Sequence, residues 1–298
     1  MKKSVLLLFT VLISAMSYAQ PWMKSLRIAQ DLALVENKMV LMVWEGTTKY
    51  PYPVTVNDNK GNTIFIKNLF EDEYLSPLIW KHFVPVIVSE DRYGEMYAKI
   101  KGKRPVTYID KFNDDSIKIL DVNGTILKRS LDYSEYINIT ELIETYALNT
   151  TIITPELTNY RNGKNFYSVF YLASKYLDLA LYSNAKVRPE VMRLGAIYTN
   201  EARAFLKDEK AEDVAKLNQR IELLELHKDL IFNRPKKVIR RLKRMDKTAI
   251  NESNKLYSNF LYFTAYALLN NTEKMQGLKP SVSSVNLKRA QWIVNLNR

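Results

Sequence analysis

Apolar residues in the first half of the chain form two continuous runs, each preceded by a helix-like pattern. The runs are Met39–Trp44 and Phe83–Val88, and their length is typical of strands buried on both faces. Pro85 argues against a central place for the second strand, because proline cannot donate a ladder hydrogen bond. Apolar residues at helical spacing over residues 23–36 and 72–81 predict a helix before each strand.

Three further segments extend this pattern towards residue 147. Residues 106–109 read Val-Thr-Tyr-Ile and predict a third strand. Residues 117–121 and 125–129 flank the dipeptide Asn123-Gly124, which strongly favours a tight hairpin turn. A helix predicted over residues 134–147 completes an α/β unit.

The segment that follows Trp44 departs from simple alternation of strand and helix. Residues 52–56 and 63–66 alternate between apolar and polar positions around the turn-forming sequence Asn57-Asp58-Asn59-Lys60-Gly61. This pattern predicts a β-hairpin between the first strand and the helix over residues 72–81.

Four short stretches, taken in order, resemble the thioredoxin-like family over residues 26–147. They are residues 37–44, residues 83–86, the sequence Arg104-Pro105-Val106-Thr107 and the sequence Asp121-Val122-Asn123-Gly124. The resemblance implies a thioredoxin-like α/β domain in which the segment after Trp44 takes the place of the family's Cys-x-x-Cys turn. It also implies that Pro105 is a cis-proline facing that turn.

The chain contains no cysteine, so it cannot carry out the thiol–disulfide exchange of that family. The resemblance places Thr47 to Tyr50 where the two cysteines would stand. An aromatic loop beside an exposed backbone edge could instead hold an extended peptide. The residues predicted to bind such a peptide are Glu45, Thr47, Thr48, Tyr50, Tyr52 and Pro105.

Helical periods dominate the second half of the chain and predict an all-α domain of helical hairpins. The predicted helices cover residues 166–181, 191–206, 214–231, 235–247, 256–268 and 285–294, with a short piece near Met275. The recurrence of Tyr, Ala and Leu resembles tetratricopeptide-like repeats in style, and an α-solenoid or an irregular bundle fits equally well. Residues 149–162 form either a linker or a packed connection.

Charge is distributed unevenly between the two halves. Residues 1–153 hold 18 basic and 18 acidic residues, whereas residues 154–298 hold 26 basic and 14 acidic ones, which accounts for the net charge of +12. This asymmetry favours an anionic partner for the second half. The residues predicted to bind anions lie on one helix: Lys236, Lys237, Arg240, Arg241, Lys243 and Arg244. A solvated helix face is the competing interpretation.

The amino terminus has the order of a secretory signal peptide. Lys2 and Lys3 precede an apolar segment over residues 5–15, and Ser17-Tyr18-Ala19 offers small residues at a cleavage site after Ala19. A secreted or periplasmic location follows from this interpretation. The predicted organisation is therefore a signal peptide over residues 1–19, a thioredoxin-like domain over residues 20–150 and a helical domain over residues 151–298.

These patterns together predict a non-catalytic binding protein with a protein or peptide partner or an anionic cell-envelope surface. Secretion argues against nucleic acid, and no later segment is apolar enough to cross a membrane. His82 and His227 are the two histidines and fall in different halves, so no metal site is predicted, and no cofactor motif is present. The alternatives are a hydrolase or transferase whose site forms only in three dimensions, or a structural component of an envelope assembly.

Overall fold

The chain consists of two units, one ending at Asn149 and the next beginning at Thr150. The first contains a mixed β-sheet, and the second is a set of packed helices. The structure is a computed structural model that describes residues 21–129 and 136–298. The predicted signal peptide lies outside the described residues.

The first unit is built on a four-stranded sheet with the order β4-β1-β5-β6. Its strands are β1 (Met39–Trp44), β4 (Phe83–Val88), β5 (Lys118–Leu120) and β6 (Ile126–Arg129). Strand β1 pairs parallel with β4 and antiparallel with β5, and β5 and β6 form the predicted hairpin. Every residue of β1 is buried, as expected for a central strand.

Pro85 is accommodated because β4 lies at the edge of this sheet. The Pro85 carbonyl accepts a hydrogen bond of 3.0 Å from the backbone N–H of Met23. Nitrogen and carbonyl of one strand residue point to the same side, so the missing N–H of Pro85 lies on the side away from β1. Proline therefore costs the β1–β4 ladder no hydrogen bond.

The predicted hairpin after Trp44 is confirmed as a separate small sheet. Strands β2 (Val54–Asn57) and β3 (Thr63–Ile66) pair antiparallel, and β7 (Ile137–Asn138) joins β2 on its other side. Gly61, with φ of 83°, supplies the left-handed turn conformation between the two strands.

Helices α1 to α5 complete the first unit. They are α1 (Leu26–Glu36), α2 (Leu75–His82), α3 (Tyr93–Ile100), α4 (Val106–Asn113) and α5 (Ile139–Tyr146). Helix α1 packs on β1 and β4, and α2 packs on β4. Residues 134 and 135 of the helix predicted over residues 134–147 lie outside the described residues, and α5 begins only at Ile139, after β7.

Two predictions about residues 105–109 are wrong. Residues 106–109 begin helix α4 rather than a strand, since Tyr108 and Phe112, four residues apart, bury one helical face. The Arg104–Pro105 bond is trans, as are all peptide bonds of the described residues. Pro105 has the extended conformation of a residue that immediately precedes a helix, with φ of −66° and ψ of 159°.

The second unit is helical throughout its described elements. The helices are α6 (Thr154–Asn162), α7 (Phe166–Tyr182), α8 (Arg188–Ala204), α9 (Ala211–Ile231), α10 (Pro235–Lys247), α11 (Glu252–Leu268), α12 (Thr272–Leu278) and α13 (Ser284–Leu296). Helix α6 buries Leu157 and Tyr160 and packs against α7. Of the two interpretations of residues 149–162, the structure therefore supports the packed connection, and residues 150–162 belong to the second unit.

Helices α7 and α8 pack against each other extensively. At Gly195 of α8 an added Cβ would stand 3.3 Å from the Cβ of Tyr176 and 3.5 Å from the carbonyl oxygen of Ala173. The absence of a side chain at residue 195 thus lets the two helices approach. The amino end of α7 is fixed by a reciprocal capping box between Asn165 and Ser168.

Among residues 21–129 and 136–298, no helix combines the length and the apolar character that a membrane span requires.

Candidate functional sites

The loop that follows β1 directly is a short 3₁₀ turn over Glu45–Lys49. The Thr48 hydroxyl donates to the carbonyl of Glu45 at 2.8 Å, and the Thr47 hydroxyl donates to the carbonyl of Asp115 at 2.8 Å. The backbone N–H of Gly46 donates to the carboxylate of Glu90. The turn is therefore held between the segment after β4 and the segment before β5.

The structure separates the six residues predicted to bind a peptide into different surroundings. Glu45, Thr47 and Thr48 share the 3₁₀ turn, and Tyr50 beyond it is 76% exposed. The ring of Tyr52 packs instead on Phe70, with the ring centroids 5.8 Å apart. Pro105 precedes α4, and the backbone segment that contacts the turn is at Asp115.

A buried lysine beneath this turn escaped the sequence analysis. Lys118 of β5 is fully buried, and its ammonium donates to the carbonyl oxygens of Asp114 and Ser116, the latter at 3.1 Å. The same ammonium lies 5.9 Å from the centroid of the Trp44 ring. A buried charge needs such partners, so Lys118 anchors the segment that the Thr47 hydroxyl contacts.

Helix α10 carries the residues predicted to bind anions, and its two faces differ sharply. Pro235 stands in the first turn, where a missing N–H costs nothing. Val238 and Leu242, four residues apart, are fully buried against the rest of the second unit. Burial of this apolar face fixes the rotation of the helix, so the cationic residues are directed outward.

Lys237 differs from the rest of the predicted cationic set. Its ammonium lies 2.8 Å from a carboxylate oxygen of Asp229, and the guanidinium of Arg234 lies 3.3 Å from the other oxygen. The Asp229 side chain is 5% exposed, so these contacts fasten the turn between α9 and α10. Lys237 therefore belongs to the structure of that turn rather than to an open binding surface.

Five cations of α10 line an open groove of about 510 Å³ together with Ile239 and Leu269. The five residues, named here the cationic stripe, are Lys236, Arg240, Lys243, Arg244 and Lys247. Their spacing of i, i+4, i+7, i+8 and i+11 places them on one helical face. Within the chain regions that the structure describes, no carboxylate oxygen lies within 4 Å of these five groups.

The stripe overlaps the predicted set at four residues and adds Lys247. Arg241 is half-buried and does not line the groove. The signal for Lys247 was present in the sequence, since it stands eleven residues after Lys236. The contribution of Leu269, which lies just beyond the end of α11, required the tertiary structure.

The pKa of His227 is strongly lowered in the folded protein. Burial, together with the positive charge of Arg289, lowers the pKa of His227 to about 3. Its Nδ1 lies 3.2 Å from the hydroxyl oxygen of Tyr257, whereas its Nε2 is buried without a hydrogen-bond partner. In the described part of the protein, no three metal-ligating side chains converge.

No family model, curated protein or solved structure matches the chain.

Proposed function

We propose that this protein is a non-catalytic binding protein of the secretory space or cell envelope that holds an anionic partner on the cationic stripe of α10. One observation carries the proposal: five neighbouring cations line one groove, and in the described chain none of them is paired with a carboxylate. A bound anion would supply the countercharge that the fold itself leaves out.

Repulsion between the like charges of the cationic stripe destabilises the protein when no anion is bound. Lys236 and Arg240, Arg240 and Arg244, and Lys243 and Lys247 are like-charged pairs at a separation of four residues. Each such pair destabilises a helix by about 0.2–0.5 kcal/mol. Solubility requires charge but not clustering of one sign. An anionic ligand would convert this repulsion into attraction, which favours a binding surface over a solvated face.

Insertion of α10 into a membrane is not available to the folded protein. The apolar face of the helix, with Val238 and Leu242, is already buried in the second unit. Amphipathic helices that enter a bilayer do so through such a face. The outward face of α10 carries charge and the side chain of Ile239, and Leu269, just beyond the end of α11, lines the same groove.

The first unit supports the proposal in its thioredoxin-like part. The main sheet pairs β1 parallel with β4 and carries the β5–β6 hairpin, an arrangement consistent with the thioredoxin-like resemblance of the sequence. On that resemblance the 3₁₀ turn over Glu45–Lys49 takes the place of the Cys-x-x-Cys turn, and the chain contains no cysteine. We propose that this unit is a non-redox scaffold and that the signal peptide directs the protein out of the cytoplasm.

The test uses fluorescently labelled poly-L-glutamate as the anionic probe. The stripe variant replaces Lys236, Arg240 and Lys243 with glutamine, and the control variant does the same at Lys207, Lys210 and Lys288, three exposed lysines outside α10. Both variants lose three positive charges. Exposed charge contacts contribute about 0.2–1 kcal/mol each, so we expect the loss of three contacts to weaken binding by the stripe variant roughly threefold to one hundredfold.

The control variant is expected to bind the probe within about twofold of the unmodified protein, and circular dichroism should show that both variants are folded. Equal loss of affinity in the two variants would mean that net charge alone attracts the probe, and the proposal would then be wrong.

A further inference from the structure

The groove of the cationic stripe also has an apolar floor. Ile239 is half-buried, and Leu269 is 37% exposed although it is a leucine beside a charged surface. The inference that follows rests on the proposed function and concerns the class of anion that can contact both the cations and the two apolar side chains.

A second copy of the chain does not fit the groove. Residues 154–298 carry a net charge of +12, and a symmetric contact would bring the same five cations of each copy together. Like charges facing each other across an interface cost several kcal/mol. The charge of the occupant must therefore be opposite to that of this unit.

Phosphate groups at a lipid surface would contact the cations of the groove but not its apolar side chains Ile239 and Leu269. They would neutralise the cations, but the acyl chains lie below the headgroups and could reach Leu269 only if α10 entered the bilayer. The burial of Val238 and Leu242 in the second unit prevents such entry. A polar polyanion would likewise leave Ile239 and Leu269 in contact with polar groups or water.

We propose that the occupant is an acidic helical segment of a partner protein, with a large apolar side chain seated against Ile239 and Leu269. The stripe from Lys236 to Lys247 covers twelve residues, and its first and last members lie about 16 Å apart along the helix axis. A partner helix of about three turns spans this length. Carboxylates at its i, i+4 and i+7 positions repeat at the same interval as the cations.

Two synthetic peptides of equal charge separate this inference from the proposed function. Both carry glutamates at i, i+4, i+7 and i+11, and they differ only in whether the residues beside that acidic face are leucine or alanine. Burial of each additional methylene contributes about 0.8 kcal/mol. With partial burial, we expect the leucine peptide to bind roughly fivefold to tenfold more tightly than the alanine peptide.

The variant Leu269→Gln tests where the apolar side chain is seated. It should remove most of the advantage of the leucine peptide while leaving affinity for the alanine peptide within about twofold, because the five cations are unchanged. Since Leu269 is partly exposed and follows the end of α11, the substitution leaves the buried core intact.

The other outcomes are equally informative. Equal binding of the two peptides, or binding of phosphatidylglycerol vesicles that Leu269→Gln does not alter and that displaces both peptides, would overturn the inference and leave the proposed function standing. Failure of the unmodified protein to bind either peptide, poly-L-glutamate or vesicles would overturn both.

Discussion

Acidification should destabilise the second unit through one buried side chain, His227 of α9. Its ring makes edge-to-face contact with Phe260, with centroids 5.2 Å apart, and only 1% of its surface is exposed. The ion pair between Arg289 and Asp178 lies nearby, and the positive charge of Arg289 adds to the effect of burial. Both causes favour the neutral imidazole in the folded state.

The size of the effect follows from the difference in pKa between the two states. The pKa of His227 is about 3 in the folded protein and 6.5 as an unperturbed side chain. Above pH 6.5 both states are neutral at this residue, and stability is unaffected by it. Below pH 6.5 the unfolded chain binds a proton that the folded protein does not, so the free energy of unfolding falls by about 1.4 kcal/mol per pH unit until pH 3.

Urea unfolding at pH 7 and pH 5, followed by the helical signal in circular dichroism, measures this term. We expect the unmodified protein to lose about 2 kcal/mol more than His227→Phe between these two conditions, because phenylalanine cannot titrate. Tyr257→Phe is the matched control: it removes the hydroxyl beside Nδ1 but leaves the buried imidazole in place. It should therefore keep the pH dependence. If His227→Phe and the unmodified protein lose the same stability, the assigned burial of His227 is wrong.

Two further predictions concern the packing of the second unit. Gly195→Val should destabilise the protein by about 1–3 kcal/mol, because a side chain there would force α7 and α8 apart; Gly195→Ala should cost less, and equal urea midpoints for both variants and the unmodified protein would contradict the close approach at Tyr176. Asn165→Ala should lower the free energy of unfolding by about 1 kcal/mol through loss of the α7 cap, whereas Asn165→Asp, which can still cap, should be nearly neutral in the same urea titration; similar losses in the two variants would argue against the capping role.

Where one physical signal dominated, sequence reasoning predicted the fold well. The six apolar residues of Met39–Trp44 predicted a strand buried on both faces, and the alternation around Gly61 predicted the hairpin. The helix over Pro235–Lys247 was placed with its bounds, because proline marks its first turn and Val238 and Leu242 mark its buried face.

The failures occurred where short segments carried two signals. Residues 106–109 contain β-branched residues typical of strands, but the separation of Tyr108 and Phe112 and the preceding Pro105 favoured a helix, and packing decided for the helix. The sequence did not decide whether the segment that forms α6 is a linker or a packed connection, because only Leu157 and Tyr160 of its nine residues are buried.

The candidate sites were predictable only in part, because their geometry is tertiary. The cationic face of α10 was visible from spacing alone, yet the capture of Lys237 by Asp229 and the placement of Leu269 depend on how α9, α10 and α11 pack. The burial of Lys118 could not be predicted from the sequence either. A lysine inside a hairpin strand is ordinarily exposed, and only its position beneath Trp44 explains its burial.

Lysine footprinting measures directly whether anions bind at the cationic stripe. The protein is acetylated with and without saturating poly-L-glutamate, and mass spectrometry follows each lysine. If anions bind at the stripe, Lys236 and Lys243 in α10 are strongly protected, while the exposed lysines Lys207, Lys210 and Lys288 react as before. Uniform protection of all these lysines, or protection confined to those outside α10, would show that the stripe is not the binding surface.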